Sequence, residues 1–238
     1  AQREGIDAAK IFSVSVMPCT AKKFEAGRPE MGRDGLADID AVLTTRELAR
    51  IIRMRGLDLR EIEPDTADTP FGERTTAGKL FGASGGVMEA AIRTAHFLAT
   101  GREMGDLKVE AVRGMEGTKE ARVHVNGTEL GVAVVNGLGN AAKLLDQIRD
   151  GRSDLHFIEV MTCPGGCVGG GGQPIRLNRD AVRARMQGLY DIDEKESART
   201  SHGNQSVQRL YEEFLEKPLG EKSRVLLHTH YAQREALV

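Results

Sequence analysis

No apolar run in this 238-residue chain approaches the ~18 residues that a membrane-crossing helix requires, so the sequence predicts no membrane span. No block of like charge is present either. Thirty-three Lys and Arg against 35 Asp and Glu leave −2, which gives no footprint for a nucleic-acid or membrane-surface partner. The N-terminus lacks the basic, apolar, small-residue succession of an export signal. These absences predict a soluble, cytoplasmic protein. There is no repeat and no low-complexity tract. Cysteine is scarce and odd in number (Cys19, Cys163 and Cys167), which argues against a disulfide framework in a protein of this size. What is present suffices to fold: 40% hydrophobic and 29% charged residues support a core with a wet surface. At ~150 residues per domain, the length suits one large domain or two intertwined ones. Ala1 is not an initiator methionine and AQREGIDAAK reads like a helix entered midway, so the expectation is a piece of a longer chain.

Strand and helix patterns alternate through the first 175 residues. IFSVSVM (11–17) reads as a strand stopped by Pro18, and 20–26 as a short helix closed by Gly27. DIDAVL (38–43) is a second strand, running into Thr44-Thr45 as N-cap with Glu47 in the first turn of a helix to about Arg55. Residues 58–83 read as a long ordered loop. A strong helix follows over 87–101, then strands over 108–114, 120–127 and 129–137, the last two joined by a hairpin at Asn126-Gly127. A helix over 138–150 and a strand over 154–161 complete this part. Beyond Pro174 the chain is charged and helical, roughly over 178–189, 193–200 and 204–217, and it ends near VLLHTHY (225–231). The predicted fold class is α/β, a mixed, partly parallel sheet with flanking helices, carrying a helical C-terminal appendage. The predicted boundary falls between 1–175 and 176–238.

Two loops share one construction, a strand ending in methionine followed by cysteine: Met17-Pro18-Cys19 and Met161-Thr162-Cys163. Strand ends in α/β sheets are where ligands bind, so the loops are expected to face one crevice. The second loop, CPGGCVGGGG, spends six glycines in ten residues. That density costs chain entropy, and it permits close backbone approach with N–H groups aimed at an anionic centre. Iron–sulfur clusters are such centres, and hydrogen bonds to their sulfurs tune them. Lys22 adds a cation near Cys19. Zinc, completed by one of the six scattered histidines, is an alternative, although C-x3-C in a glycine tract is unlike the usual knuckle. A phosphate cradle is another, although the G-x4-G-K-[ST] order is missing. Spacing alone thus gives an iron–sulfur or other soft-metal protein.

The residues themselves go further. MPCTAKKFE (17–25) resembles the M-P-C-x-x-K-x-x-E signature of iron-only (FeFe) hydrogenases, and EVMTCPGGCVGGGGQP (159–174) resembles their E-x-M-x-C-x-x-G-C-x-x-G-G-G-Q-P signature at every fixed position. DIDAVLTTREL, FGASGGVMEAAIR, SHGNQSVQRLYEEFL and LLHTHY extend the resemblance along the chain. The resemblance implies the family's H-cluster, a 4Fe–4S cubane joined through a thiolate to a two-iron centre with CO, cyanide and dithiolate ligands. By matching position, Cys19 and Cys163 are cubane ligands and Cys167 is the bridging thiolate. Lys22 is the cyanide-binding ammonium, a charge-assisted donor. Met17 and Met161 line the two-iron pocket, while Pro18, Gly169, Gly170, Gly171 and Gln173 belong to the surrounding cage. Glu25 and Glu159 match motif positions, to which a structural role is assigned. The implied reaction interconverts two protons and two electrons with H2.

The family's T-S-C-C-P-x-W motif is absent, and with it the fourth cubane ligand and the proton-relay cysteine. The accessory ferredoxin-like domains are missing too. The resemblance therefore implies the C-terminal part of a catalytic subunit, inactive alone, whose partners are the missing N-terminal part of the same chain and ferredoxin or NAD(P)-linked electron-transfer subunits. The stretch 190–231 resembles a small subunit that is a separate chain in some periplasmic members. Its fusion here favours the cytoplasm. The rival readings are a hydrogenase-like protein of iron–sulfur assembly and a redox sensor.

Overall fold

In the computed structural model the described residues are 1, 5–68, 72–175 and 178–233. They fall into two compact units, one formed by residues 1–68 and 207–238 and the other by residues 69–206.

The first unit starts with alternating valines in β1 (Val14–Met17), which ends where Pro18 withdraws a backbone donor. A six-residue helix, α1 (Ala21–Ala26), follows. The short antiparallel strands β2 (Gly32–Arg33) and β3 (Leu36–Ala37) lead to β4 (Ala41–Thr44). β4 lies parallel to β1, with Met17 opposite Thr44. Thr44 then caps α2 (Thr45–Met54) in a full capping box. Its hydroxyl accepts from the Glu47 N–H, and the Glu47 carboxylate accepts from the Thr44 N–H at 2.8 Å. The C-terminal part of this unit carries α8 (Glu221–Leu227) and the LHTHY stretch. The stretch is clasped by Arg28, which donates to the His230 carbonyl at 2.5 Å and lies 4.6 Å from the Tyr231 ring centre. Thr229 and Arg33 add bonds to the Glu30 and Val225 carbonyls.

The second unit is a three-stranded sheet between helices. The Asn126-Gly127 turn, both residues at positive φ, joins β5 (Thr118–Val125) to β6 (Thr128–Asn136) in a two-residue hairpin. β7 (Phe157–Met161) adds parallel to β6. β6 is central and almost wholly buried, which is why its sequence is a continuous apolar run. On one face Val132 and Val134 pack with Met88 and Ile92 of α4 (Gly86–Thr100). On the other, Ala133 and Val135 pack with Ala141 and Leu144 of α5 (Leu138–Arg149).

Five expectations change. Residues 108–114 form no strand. A 3-10 turn over Glu110–Val112 drops Val112 into the α4 core, and the Val112 carbonyl abuts Gly85 so closely that a Cβ there would come within 1.9 Å. The 58–83 loop contains a short helix, α3 (Thr76–Leu80), whose Ala77 and Leu80 are buried. The strand expected from residue 154 begins at Phe157. The two helices expected over 178–189 and 193–200 are one continuous helix, α6 (Arg179–Lys195), and residues 196–200 are not helical. The helix expected over 204–217 is α7 (Gln205–Leu210) continued by a π-helical turn over Tyr211–Leu215.

α6 is fastened by charge in the interior. Arg93 of α4 is fully buried. It bonds both oxygens of the equally buried Asp193 of α6 (3.0 and 2.8 Å), Glu89 (2.5 Å) and the Leu107 and Arg199 carbonyls. Arg113 grips both oxygens of Glu89 at 2.7–2.8 Å and stacks 4.2 Å from the Tyr190 ring centre. Arg199 and Thr76 complete the shell of Asp193. Burial pushes the Asp193 carboxyl up, but the hydrogen bonds from Arg93, Arg199 and Thr76 outweigh it and hold the group below the usual carboxylate range.

Candidate functional site

The first cysteine loop belongs to the first unit. Met17 is the last residue of β1, and Met17, Pro18 and Cys19 are half-buried. Cys19 precedes Thr20, which opens α1, and that helix buries no side chain of its own. It is anchored by one lysine. Lys23 donates to the Val42 carbonyl of β4 at 2.7 Å and pairs with Glu47 at 2.9 Å, so the capping box of α2 also steadies the loop. Glu47 is held down to about 2, first by the backbone bond from Thr44 and then by Lys23. Lys22 forms an ion pair with Glu25 one turn on, both partly exposed.

The second loop belongs to the second unit and contains Met161, Cys163, Cys167, Gly169, Gly170, Gly171 and Gln173. Met161 is the last residue of β7, and its carbonyl accepts from the Gly137 N–H at 2.7 Å. The backbone then folds on itself: Gly166 N–H to Cys163 carbonyl (2.9 Å), Gly169 to Gly166 (3.0 Å), Gly170 to Cys167 (2.9 Å), Gln173 to Gly170 (3.0 Å). Segment 82–84 holds the loop from one side through Val168 N–H to Gly82 carbonyl and Ser84 N–H to Gly165 carbonyl, both 3.0 Å. α6 holds it from the other, with Val182 and Met186 packed on Val168 and Arg185 donating to the Val168 carbonyl at 3.1 Å. Gly166 sits at φ +92°, and a Cβ there would come within 2.6 Å of the Ser84 nitrogen. A Cβ on Gly169 would come within 2.2 Å of the Pro164 carbonyl oxygen. These two glycines are therefore required by backbone approach.

No disulfide joins the three cysteines. Among the described residues, no group of three or more His, Cys, Asp or Glu side chains is arranged to hold a metal ion. The donor chemistry fits an iron–sulfur centre: three soft sulfur donors, two of them half-buried in one glycine-rich loop. Three thiolates fall one short of the four that a cubane takes.

Sequence reasoning assigned Glu159 a structural role without finding what it holds. Its buried carboxylate accepts from the Gly85 and Met88 N–H groups (2.6 and 2.7 Å), capping α4 from β7 four residues before Cys163. Ser84 and Lys119, below the same loop, went unnoticed. The alternation Lys119, Ala121, Val123, Val125 along the inward face of β5 was the available signal.

The family model described as iron only hydrogenase large subunit, C-terminal domain, matches residues 1–171, and that described as iron hydrogenase small subunit matches residues 179–234. The NADP-reducing hydrogenase subunit HndD of Solidesulfovibrio fructosivorans is 47% identical over 234 residues, covering 98% of this chain and 40% of that protein. Cytosolic iron-sulfur assembly component 3 of Rattus norvegicus is 32% identical over 240 residues, covering 97% of this chain and 49% of that protein. A solved variant of the FeFe-hydrogenase HydA1 from Chlamydomonas reinhardtii superposes with a TM-score of 0.80 at 40% identity, over 97% of this chain and 65% of that one. The chain thus spans less than two thirds of each of these proteins. With both family models matching in sequence order and the fold shared with a solved hydrogenase, the chain belongs to the iron-only (FeFe) hydrogenase family.

Proposed function

We propose that this chain is the part of an FeFe hydrogenase that carries most of the H-cluster ligands, in an enzyme that interconverts H2 with protons and electrons. The observation that supports this reading best is the placement of the two signature motifs. Each sets its first cysteine two residues after the methionine that ends a strand of a parallel pair, β1 with β4 and β7 with β6, the position at which α/β sheets present ligand-binding loops. Cys19 and Cys163 are the cubane thiolates, and Cys167 supplies the thiolate shared with the two-iron centre. When bound, the cluster supplies the redox chemistry and the metal site at which H2 is made or split.

The chain's own residues bind, insulate and orient. Met17 and Met161 give soft apolar walls that exclude water. Lys22 donates from its ammonium to an anionic ligand once it turns from Glu25, a surface pairing cheap enough to exchange. Pro18 and Gly169, Gly170, Gly171 and Gln173 shape the loops around the thiolates. A fourth thiolate and the proton relay come from protein outside these 238 residues, and electrons from ferredoxin or NAD(P)-linked subunits. We assign residues 1–175 to the cluster domain and 176–238 to a small-subunit-like module. That module shares its residues between the two compact units. Its fusion to the rest favours a cytoplasmic enzyme.

Anaerobic reconstitution with iron and sulfide, followed by supply of a two-iron centre, tests the reading. The chain should take up an iron–sulfur centre that is lost on Cys163→Ser, and it should turn over H2 only when joined to the remaining ligand-bearing segment. A centre that forms in the completed protein without any H2 turnover would favour the assembly or sensing role instead.

A further inference from the structure

Beneath the Cys163–Cys167 loop lies a buried charge that the reading above does not use. Lys119 of β5 is 7% exposed. Its ammonium donates to the Gly114 carbonyl at 2.8 Å and stands 3.5 Å from the Ser84 hydroxyl. Among the described residues, no ion-pair partner lies within 4 Å of it. Glu159 and Glu116 attract it through space, but Glu159 is committed to the N-terminus of α4 and Glu116 lies exposed. Ser84 is fully buried, and its own N–H is bonded to Gly165 in the cysteine loop. A single residue thus separates the cation from the loop.

A buried ammonium with only neutral partners in contact is expensive, and the site needs a counter-charge from elsewhere. Burial lowers its pKa to about 8, against the pull of Glu159 and Glu116, which leaves it largely charged near neutrality. Thiolate-ligated iron–sulfur centres are anionic and gain a further negative charge on reduction, and nearby charge and hydrogen bonding set their potential. We propose that Lys119 is a positioning residue for redox tuning, whose ammonium, set under the cysteine loop by way of Ser84, raises the reduction potential of the iron–sulfur centre held by Cys163 and Cys167. The inference rests on the functional reading above.

The test is a redox titration of the reconstituted full chain, followed by the EPR signal of the reduced centre. Lys119→Met removes the charge at similar length and should move the midpoint to more negative potential, whereas Lys119→Arg should leave it close to that of the unaltered chain near neutral pH. An intact centre with an unmoved midpoint in Lys119→Met overturns the inference. Should Lys119→Met not fold, Lys119→Arg and the unaltered chain decide by comparison across pH. The lysine loses its charge above about pH 8 while a guanidinium keeps it. Their midpoints should agree near about pH 6.5, and the unaltered chain should fall below Lys119→Arg near about pH 9.5. Glu116 and Glu159 face the site in both proteins, so parallel curves would again overturn the inference. A chain that takes up no iron–sulfur centre overturns the functional reading and this inference together. A centre that forms but ignores Lys119 overturns this inference alone.

Discussion

Cys19 and Cys163 each follow a strand that ends in methionine, yet the two turns are held in opposite ways. Around Cys19 the restraint comes from side chains. α1 buries nothing, Val14 and Val16 of β1 are about half exposed, and Lys23 tethers the helix through one ion pair and one carbonyl bond. Around Cys163 and Cys167 the restraint is in the backbone. Consecutive turn bonds, two bonds to segment 82–84 and the packing of α6 fix the loop, with glycines where any side chain would collide. Surface ion pairs contribute little and exchange easily, whereas a backbone packed against backbone has no room to give. The first loop is therefore built to tolerate change and the second to resist it.

The strongest way to break this comparison is to loosen the wall behind the second loop. Asp193→Ala leaves Arg93 and Arg199 facing the interior with Glu89 as the remaining acid, and it should cost roughly 3–5 kcal/mol in denaturant unfolding. The same carboxyl gives the acid limb. Its folded-state pKa lies below the unfolded value, so its contribution is complete above the ordinary carboxylate range near about 4 and drains as pH falls further. The acid-unfolding curve should flatten in Asp193→Asn, and an unchanged curve would remove Asp193 from the account. Gly166→Ala comes next. It places a Cβ against the Ser84 nitrogen at a φ that disfavours side chains, for a loss on the order of 3 kcal/mol together with loss of iron uptake. Normal stability and iron content in that variant would show that the loop is softer than its contacts imply. Smallest is Lys22→Ala, which should change stability by no more than about 0.5 kcal/mol because its pair with Glu25 is partly exposed. In the completed enzyme it should nevertheless lower H2 turnover, which separates a ligand-binding role from a structural one.

Much of this was legible in local sequence. The Thr44–Glu47 capping box, the Asn126-Gly127 hairpin, the helix after Gly85 and the methionines closing both strands are set by short-range chemistry, namely capping bonds, positive-φ turns and helical periodicity. The close backbone approach expected of the glycine-dense second loop is present at Gly166 and Gly169. The failures are those that depend on distant partners. KVEAVRG alternates like a strand, but the segment finds no ladder to join. Its Val112 is claimed by the α4 core and its backbone abuts Gly85. α6 runs on to Lys195 because Asp193, a poor helix former in isolation, is bonded by Arg93 from another helix.

Taken by itself, the sequence determined the candidate donors and their order: three cysteines, two methionine-ended strands, a lysine after Cys19 and a glycine tract, because thiolate chemistry and backbone freedom are properties of residues. Only the tertiary structure decided what surrounds them. The cap that Glu159 places on α4, the seam joining Arg93 to Asp193 and the contact of Lys119 with Ser84 arise between residues tens of positions apart. Burial turns such residues from solvated surface charges into fixed elements of the site, because desolvation makes each charge costly until a specific partner offsets it.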